Sequence, residues 1–136
     1  MKLDVKLIGY VNLFEQLTKV NVKDCFIDDD MVLVFVVNSA GIGKAVGKDG
    51  INVKKLSGKL KQKLRVIGFD DDPCNFVKNL LYPLSGFDVS LVDDKVLIRT
   101  EDRTLKGKIY GRDKSNLIKI NGILRKYFKD LKIVVE

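Results

Sequence analysis

An internal repeat with an offset of 64 residues constrains the fold of this chain most strongly. The stretch GKAVGKDGINVKKL, which begins at Gly43, returns as GKIYGRDKSNLIKI, which begins at Gly107. Spaced identities extend on both sides of this stretch, and the match resumes near the end of each half after a three-residue insertion in the second copy. Repetition at a fixed period indicates one structural unit used twice. We therefore expect two domains, residues 1–69 and residues 70–136, with no Gly-, Pro- or Ser-rich linker between them.

Each half shows the same series of helix and strand patterns. Residues 7–17 place apolar side chains at helical spacing, and residues 22–27 and 31–37 flank an aspartate-rich turn, as the strands of a β-hairpin do. Residues 50–62 then predict a helix and residues 63–69 a closing strand. With a short helical turn before the longer helix, the predicted order in each half is α-β-β-α-α-β.

Two pairs of residues permit local predictions within the helices. Asp72 and Pro73 stand at the start of the first helix of the second half, where an N-cap aspartate and a proline at the first helical position are both favoured. Gly58 and Gly122 occupy equivalent positions in the repeated longer helix, although glycine costs about 1 kcal/mol relative to alanine there. Their recurrence predicts close packing of this helix against the sheet.

The charge and residue content favour a binding protein. The chain carries 25 Lys and Arg residues against 18 Asp and Glu residues, a formal net charge of +7. An excess of this size favours a polyanionic partner, most often nucleic acid, although a lysine-rich surface without such a partner gives the same charge. The sequence contains no histidine, the commonest general base, and no nucleotide-binding P-loop. We therefore expect a protein that is not an enzyme and uses no cofactor.

Acidic clusters and cysteines are the remaining candidates for a metal site. The clusters at residues 28–30, 70–72 and 93–94 fall where turns or helix caps are expected, and they lack the glycine-punctuated spacing of a calcium loop. Cys25 and Cys74 are far apart in sequence and have no ligand-like neighbours. We expect turn aspartates and two buried apolar thiols, with no metal.

Membrane and export signals are not apparent in the sequence. No apolar run approaches the roughly 20 residues that a membrane-spanning helix needs. The first residues, MKLDVKLIGY, contain charges and lack the small-residue cleavage site of a signal peptide. These patterns predict a cytoplasmic location and no membrane partner.

Gly47, Lys48, Asp49 and Gly50 form a predicted loop between the short helical turn and the longer helix. Glycine is needed where the backbone adopts a positive φ or approaches another group closely. Free N–H groups in such a loop, with the positive end of the next helix dipole, suit a phosphate. Lys48 adds a mobile positive charge, and Asp49 is expected to cap the next helix. A Rossmann motif is excluded because Val46 stands where that motif requires glycine or alanine.

A Gly-x-x-Gly loop between two helices, in an α-β-β-α-α-β unit, resembles a type II KH domain. The resemblance covers the whole of each half, and it implies an α+β fold in which helices cover a three-stranded sheet. Two such domains in tandem, with almost nothing attached, resemble the archaeal NusA-type transcription factors. The resemblance implies binding of single-stranded RNA, because a KH loop clamps the backbone of about four nucleotides.

The resemblance also assigns roles to individual residues. In a KH domain the bases lie in a groove beside the helix that follows the loop, against apolar side chains. The loop clamps the backbone, so the resemblance assigns this role to residues 47–50. Val46 and Val53 fit either the groove or the core, whereas Leu56 is expected to be core. Asn52 is expected to cap or brace the helix. The groove candidates are Val46, Ile51, Val53 and Lys54. Electrostatic attraction is expected from Lys44, Lys55, Lys59 and Arg65 if they share a face.

The second loop, Gly111, Arg112, Asp113 and Lys114, departs from the family pattern because lysine replaces the last glycine. If Lys114 needs a positive φ, it is strained by about 1 kcal/mol. If it begins the helix, it is acceptable, but its side chain obstructs a phosphate. Alternatively, Arg112 and Lys114 strengthen a looser ionic contact. Tyr110 either stacks on a base or fills the core, and RNA binding by this copy stays an open expectation.

Two functions are compatible with these patterns. The first is a tandem KH protein that binds single-stranded nascent RNA and acts in transcription elongation or termination. The alternative is an adaptor that docks on RNA polymerase or a ribosomal particle and binds RNA weakly, which the altered second loop favours. Single-stranded RNA is the expected partner in the first case, with RNA polymerase as a further candidate.

Overall fold

The computed structural model describes residues 4–136. The chain divides into two compact units, the first ending at Phe69 and the second beginning at Asp70. Each unit contains one three-stranded sheet and three α-helices. The α+β fold class that the resemblance implies, with the element order α-β-β-α-α-β in each half, is confirmed.

The first unit begins with a long helix that a side chain caps. Asp4 accepts a hydrogen bond from the backbone N–H of Leu7 at 2.8 Å, which satisfies one of the free donors at the helix start. Short 3₁₀ turns stand at Ser39–Gly41 and Lys48–Gly50. The elements are α1 (Val5–Thr18), β1 (Val22–Ile27), β2 (Leu33–Asn38), α2 (Ile42–Val46), α3 (Ile51–Leu60) and β3 (Leu64–Phe69).

The central strand of this sheet is β2, which pairs antiparallel with β1 and parallel with β3. The parallel pairing follows from the connection through α2 and α3, since parallel neighbours need a crossover. The hairpin turn is held by Asp28, whose carboxylate accepts hydrogen bonds from the N–H groups of Asp30 and Val32 at 2.9 and 3.0 Å. The predicted aspartate turn is therefore confirmed.

The core of the first unit anchors both helices that flank the glycine loop. The Phe14 and Phe35 rings stack with their centroids 4.4 Å apart. Ala45 of α2 and Leu56 of α3 are fully buried in the same cluster, as expected for Leu56. Full burial of a leucine contributes about 1.5–3 kcal/mol. The loop between α2 and α3 is thus held at both ends by core contacts.

The second unit repeats this topology, with sheet order β4-β5-β6. Asp72 accepts a hydrogen bond from the N–H of Cys74 at 2.8 Å, and Pro73 is the first helical residue, so both predictions for this helix start are confirmed. A 3₁₀ turn stands at Arg112–Lys114. The elements are α4 (Pro73–Leu81), β4 (Asp88–Val92), β5 (Lys95–Arg99), α5 (Arg103–Tyr110), α6 (Ser115–Tyr127) and β6 (Lys132–Val135).

The packing predicted for Gly58 and Gly122 is wrong. Both glycines are exposed on their helices, and a Cβ added at either position would meet no atom within 4 Å. The recurrence of glycine at this position does not come from close contact between helix and sheet.

The two cysteines differ in their surroundings. Cys25 is buried in the core of the first unit, and burial, assisted by the charge of Asp24, raises the pKa of its thiol to about 12. Cys74 is half-buried, so the expectation of a buried thiol holds fully only for Cys25. Within residues 4–136, no group of three or more Cys, Asp or Glu side chains is placed to hold a metal ion. In the same range, no helix is long and apolar enough to cross a bilayer.

Candidate nucleic-acid interface

The first glycine loop makes a sharp reversal between α2 and α3. Gly47, which follows the last residue of α2, has φ 78° and ψ 170°, and Asp49 and Gly50 have φ values of 55° and 72°. The N–H of Gly47 donates to the carbonyl oxygen of Gly43 at 2.9 Å, and the N–H of Gly50 donates to that of Gly47 at 3.1 Å. Three positive φ values within four residues produce this bend, which two glycines make accessible.

The tip of the loop presents two consecutive backbone donors. Within residues 4–136, the N–H groups of Lys48 and Asp49 have no hydrogen-bond acceptor, and both residues are exposed. The N-terminus of α3 begins directly after the loop. Successive N–H groups beside the positive end of a helix dipole form a site for an anion such as phosphate.

The two glycines of this loop are required for different reasons. A Cβ at Gly47 would lie 2.9 Å from Cγ2 of Ile51 and 3.0 Å from Nδ2 of Asn52. A Cβ at Gly50 would meet no atom within 4 Å, so only the positive φ favours glycine there. Gly47 therefore permits the close approach of α3, whereas Gly50 leaves open space beside the loop.

An asparagine braces each loop from the following helix. Asn52 donates from Nδ2 to the carbonyl oxygen of Lys44 at 3.1 Å, which ties α3 to α2 and fulfils the predicted bracing role. Asn116 makes a similar bond in the second unit, to the carbonyl oxygen of Ile109 at 3.0 Å, one residue beyond the position that the repeat aligns with Lys44. No role for Asn116 was expected from the sequence, although the repeat aligns it with Asn52. The capping role predicted for Asp49 is wrong, because the N-cap position of α3 is Gly50 and α3 has no side-chain cap.

Exposed lysines surround the first loop. Between residues 43 and 63, Asp49 is the single acidic residue, and the other acidic residues of this unit lie at or before Asp30. The charge of the unit is thus segregated, and the helices that flank the loop attract anions. Seven exposed lysines belong to this segment: Lys44, Lys48, Lys54, Lys55, Lys59, Lys61 and Lys63.

Arg65 contributes less to this positive surface than the sequence suggested. It lies on β3 and is half-buried, and burial lowers the pKa of its guanidinium, while the charge of Asp28 opposes that shift. Its charge is therefore partly balanced within the unit. Lys55 and Lys59, one helical turn apart on α3, are both exposed and share a face.

The predicted groove residues beside the first loop are distributed between the surface and half-buried positions. Val46 and Val53 are half-buried, Lys54 is exposed, and Ile51 is 48% exposed. An isoleucine this exposed next to two unpartnered N–H groups offers an apolar contact beside a polar one. This pairing suits a nucleotide, which has an apolar base face and an anionic backbone.

The second loop has the same backbone conformation as the first. Gly111, Asp113 and Lys114 have φ values of 71°, 55° and 63°, against 78°, 55° and 72° at the equivalent positions of the first loop. Lys114 therefore has a positive φ and is also the N-cap residue of α6. A Cβ at Gly111 would lie 2.7 Å from Cβ of Asn116, so this glycine again permits close approach of the next helix. Arg112, Asp113 and Lys114 are exposed.

The side chains beside the second loop differ from those of the first. Tyr110, the last residue of α5, is half-buried, and Nζ of Lys114 lies 5.8 Å from the centroid of its ring. Ile118 on α6 is 68% exposed. No role for Ile118 was expected from the sequence, although the repeat aligns it with the exposed Lys54.

Comparison with known proteins places these features in a family. A model of the KH domain matches residues 10–70. The "Probable transcription termination protein NusA" of Methanococcus vannielii is 39% identical over 89 residues, which cover 65% of this chain and 51% of that protein. The protein of the same name from Halococcus morrhuae is 30% identical over 108 residues, which cover 78% of this chain and 77% of that protein. The chain belongs to the NusA-type family of KH-domain proteins.

Two further comparisons cover all or nearly all of the chain. The "Probable transcription termination protein NusA" of Methanocaldococcus jannaschii is 28% identical over 141 aligned positions, which cover 100% of this chain and 76% of that protein. The crystal structure of APE1850 superposes with a TM-score of 0.76 and 24% identity, covering 98% of this chain and 100% of that one, and this likeness shows the fold. The chain spans about half the length of the Methanococcus NusA-type protein and about three quarters of the other two NusA-type relatives.

Proposed function

We propose that this chain binds single-stranded RNA through its glycine loops and acts in transcription elongation or termination. The observation that carries the proposal is the pair of unpartnered N–H groups at Lys48 and Asp49, exposed at the start of α3. The family model and the relatives' names, which denote KH-domain and transcription termination proteins, support it. The proposal assigns residues 1–69 to the first KH domain and residues 70–136 to the second.

The loop binds the backbone of the RNA strand in this mechanism. A phosphate at the loop tip accepts hydrogen bonds from the two free N–H groups, and the α3 dipole favours its negative charge. The ammonium group of Lys48 adds a charge-assisted contact, and the surrounding lysines attract the strand from a distance. The folded loop already has the positive φ values of its bend, which an unfolded chain rarely adopts. Little of the loop therefore has to be ordered when RNA binds.

The bases lie beside α3 in this mechanism, against Val46, Ile51 and Val53. The exposed Ile51 contacts a base face, and the half-buried valines form the floor of the groove. Lys44 and Lys54 are exposed on α2 and α3 and are assigned to the backbone on either side of the loop. No step of this mechanism transfers a proton or breaks a bond, so it requires binding groups only.

A pair of charge-matched variants tests the first loop. Lys48→Asp with Gly50→Asp places two carboxylates at the loop tip, where the added Cβ at position 50 meets no neighbour. Lys6→Asp with Gly9→Asp makes the same change in charge on α1, where a Cβ at Gly9 also meets no neighbour. We expect the loop variant to weaken binding of a short single-stranded RNA at least about tenfold, because charge-assisted hydrogen bonds are lost.

The α1 variant is the control for general electrostatics, with circular dichroism to verify folding of both variants. A small effect of the control, with a large effect of the loop variant, supports the proposal. Equal losses in the two variants, or no loss in the loop variant, would contradict it. Docking on RNA polymerase stays a prediction, which a pull-down from nuclease-treated extract with the loop variant would test.

A further inference from the structure

The two loops share a backbone and differ in the side chains beside it. The glycine that ends the first helix of each pair, the aspartate at the loop tip and the bracing asparagine are the same in both units. Among the positions that differ between the two copies, three carry the argument: Val46 corresponds to Tyr110, Gly50 to Lys114, and Lys54 to Ile118. The parts that shape the phosphate site are thus kept, and the surface beside it is replaced.

Two of the replaced residues contact each other. Nζ of Lys114 lies 5.8 Å from the centroid of the Tyr110 ring, within the range of a cation–π interaction. The first loop has no counterpart of this pair, because a valine and a glycine stand at the two positions. Lys114 retains this place although its positive φ costs about 1 kcal/mol for a residue other than glycine. The pair orients an aromatic ring and a cation beside the loop.

The third replacement stands on α6, the helix that follows the second loop. Ile118 lies in the first turn of this helix, four residues after the N-cap residue Lys114. Its side chain is 68% exposed, the exposed large apolar residue of this helix, at a position where the first unit exposes a lysine. Ile109, which precedes Tyr110 on α5, is fully buried. This isoleucine anchors the end of α5 in the core of the second unit without the ring of Tyr110.

The first unit exposes its isoleucine elsewhere. Ile51 stands directly after the first loop, and its equivalent in the second unit is Ser115. The exposed isoleucine of the second unit, Ile118, is three residues further along the helix, a displacement of about 4.5 Å along the axis. The exposed isoleucine therefore stands next to the loop in the first unit and one turn further along the helix in the second, where the residue before the loop is Tyr110.

We infer that the second unit is a base-stacking site, in which Tyr110 and Ile118 contact an unpaired RNA base while Lys114 contacts the phosphate backbone. This inference rests on the proposed function, since it names the part of the strand that the second unit holds. The occupant is a nucleotide because the second loop and the helices that it joins carry an aromatic ring, an exposed apolar side chain and two exposed cations, Arg112 and Lys114. The first unit holds its strand mainly through phosphate contacts and aliphatic packing, and the two units select different features of the RNA.

Abasic oligonucleotides separate stacking from phosphate binding. The full chain with Lys48→Asp and Gly50→Asp serves as the background, so that the remaining affinity reports on the second unit. Binding of a short single-stranded RNA is compared with binding of an abasic strand of the same length. Tyr110→Val, which introduces the first unit's residue, should weaken binding of the RNA about tenfold and change that of the abasic strand less than about twofold.

Two further variants define the site. Tyr110→Phe keeps the aromatic face, so it should bind RNA as tightly as the Lys48→Asp, Gly50→Asp background does. A loss of affinity would show that the hydroxyl group, and not the ring face, is required. Lys114→Gly removes a positive charge and introduces the residue that the first loop has at this position. It should weaken binding of the RNA and of the abasic strand by the same factor, about threefold to tenfold. Ile118→Lys should weaken the base-dependent part of the affinity and leave the abasic strand bound at least as well.

The possible results are distinguishable. If Tyr110→Val weakens binding of the RNA and of the abasic strand equally, or weakens binding of neither, the stacking role is overturned. If the background chain binds neither ligand although the unmodified chain binds RNA, the second unit is not a binding site, and the inference fails while the proposed function stands. If the unmodified chain binds no RNA, the proposed function fails as well.

Discussion

At the scale of single residues, the glycine loops show that one residue type serves two physical purposes. Gly47 leaves room for Ile51 and Asn52, and Gly50 supplies a left-handed backbone in open space. The second unit supports this division. Gly111 again leaves room for the next helix. Lys114 stands where the first unit has Gly50, and the loop conformation is the same. Steric demand and conformational demand are therefore separable in this motif.

The two glycines should respond differently to the same substitution. We expect Gly47→Ala to lower the free energy of unfolding by about 2–3 kcal/mol, because it adds a clash to an unfavourable φ. Gly50→Ala should cost about 1 kcal/mol, since only the backbone conformation opposes it. Urea denaturation of both variants measures the difference, and equal costs would show that the contacts at position 47 do not hold α3 against the loop.

At the scale of elements, a small difference in sequence changes how the helix before each loop begins. Asn38 and Asp102 are equivalent in the repeat, and each caps the element that follows. In the first unit this element is a 3₁₀ turn, Ser39–Gly41, followed by a five-residue helix. In the second unit a continuous helix of eight residues begins at Arg103. Glycine disfavours helix, and its greater frequency in the first copy accounts for the interruption.

The exposed helix glycines provide a second prediction. Gly58→Ala and Gly122→Ala should each raise the free energy of unfolding by about 0.5–1 kcal/mol, because alanine favours helix and a Cβ meets no neighbour at either site. Thermal or urea denaturation measures the change. RNA affinity serves as the control readout, since neither residue belongs to the proposed interface. Destabilisation by either alanine would reveal a contact at that helix face.

At the scale of the whole molecule, the net charge of +7 is unevenly distributed along each repeat. The segment that contains the two helices around each loop is rich in lysine and arginine, whereas acidic residues concentrate in the hairpins and in the turns before the helices. This arrangement allows a chain with 18 acidic residues to present a positive surface at the loops. In the proposed function, the overall charge attracts the RNA strand and the loops determine where its phosphates bind.

Salt dependence tests this distinction between general attraction and specific contact. The logarithm of the RNA association constant should fall with the logarithm of salt concentration by about 0.7 for each phosphate neutralised on a single strand. Lys48→Asp with Gly50→Asp should reduce this slope by about 0.7 or more, because at least one phosphate contact is lost. A titration series over several salt concentrations gives the slopes, and an unchanged slope would mean that the first loop holds no phosphate.

Much of the fold was predictable because it depends on patterns that the chain carries locally. Helical spacing, the β-branched run that became β2, and the aspartate turn at Asp28 all follow from residue type and position, and Leu56 was recognisable as core from its spacing. The predictions that were wrong concern the direction of a side chain or the identity of a cap. Gly58 was expected to pack and Asp49 to cap, and both outcomes depend on where neighbouring elements lie.

The sequence by itself determined the repeated unit, its order of helices and strands, and the position of a glycine-rich bend before a lysine-bearing helix. Those features depend on periodicity and on the conformational limits of glycine, which act over a few residues. Only the tertiary structure decided which N–H groups remain without a partner, that Lys114 adopts the glycine conformation, and that Ile118 is exposed in the first turn of α6. These outcomes depend on contacts between residues that are brought together by packing, which no local pattern specifies.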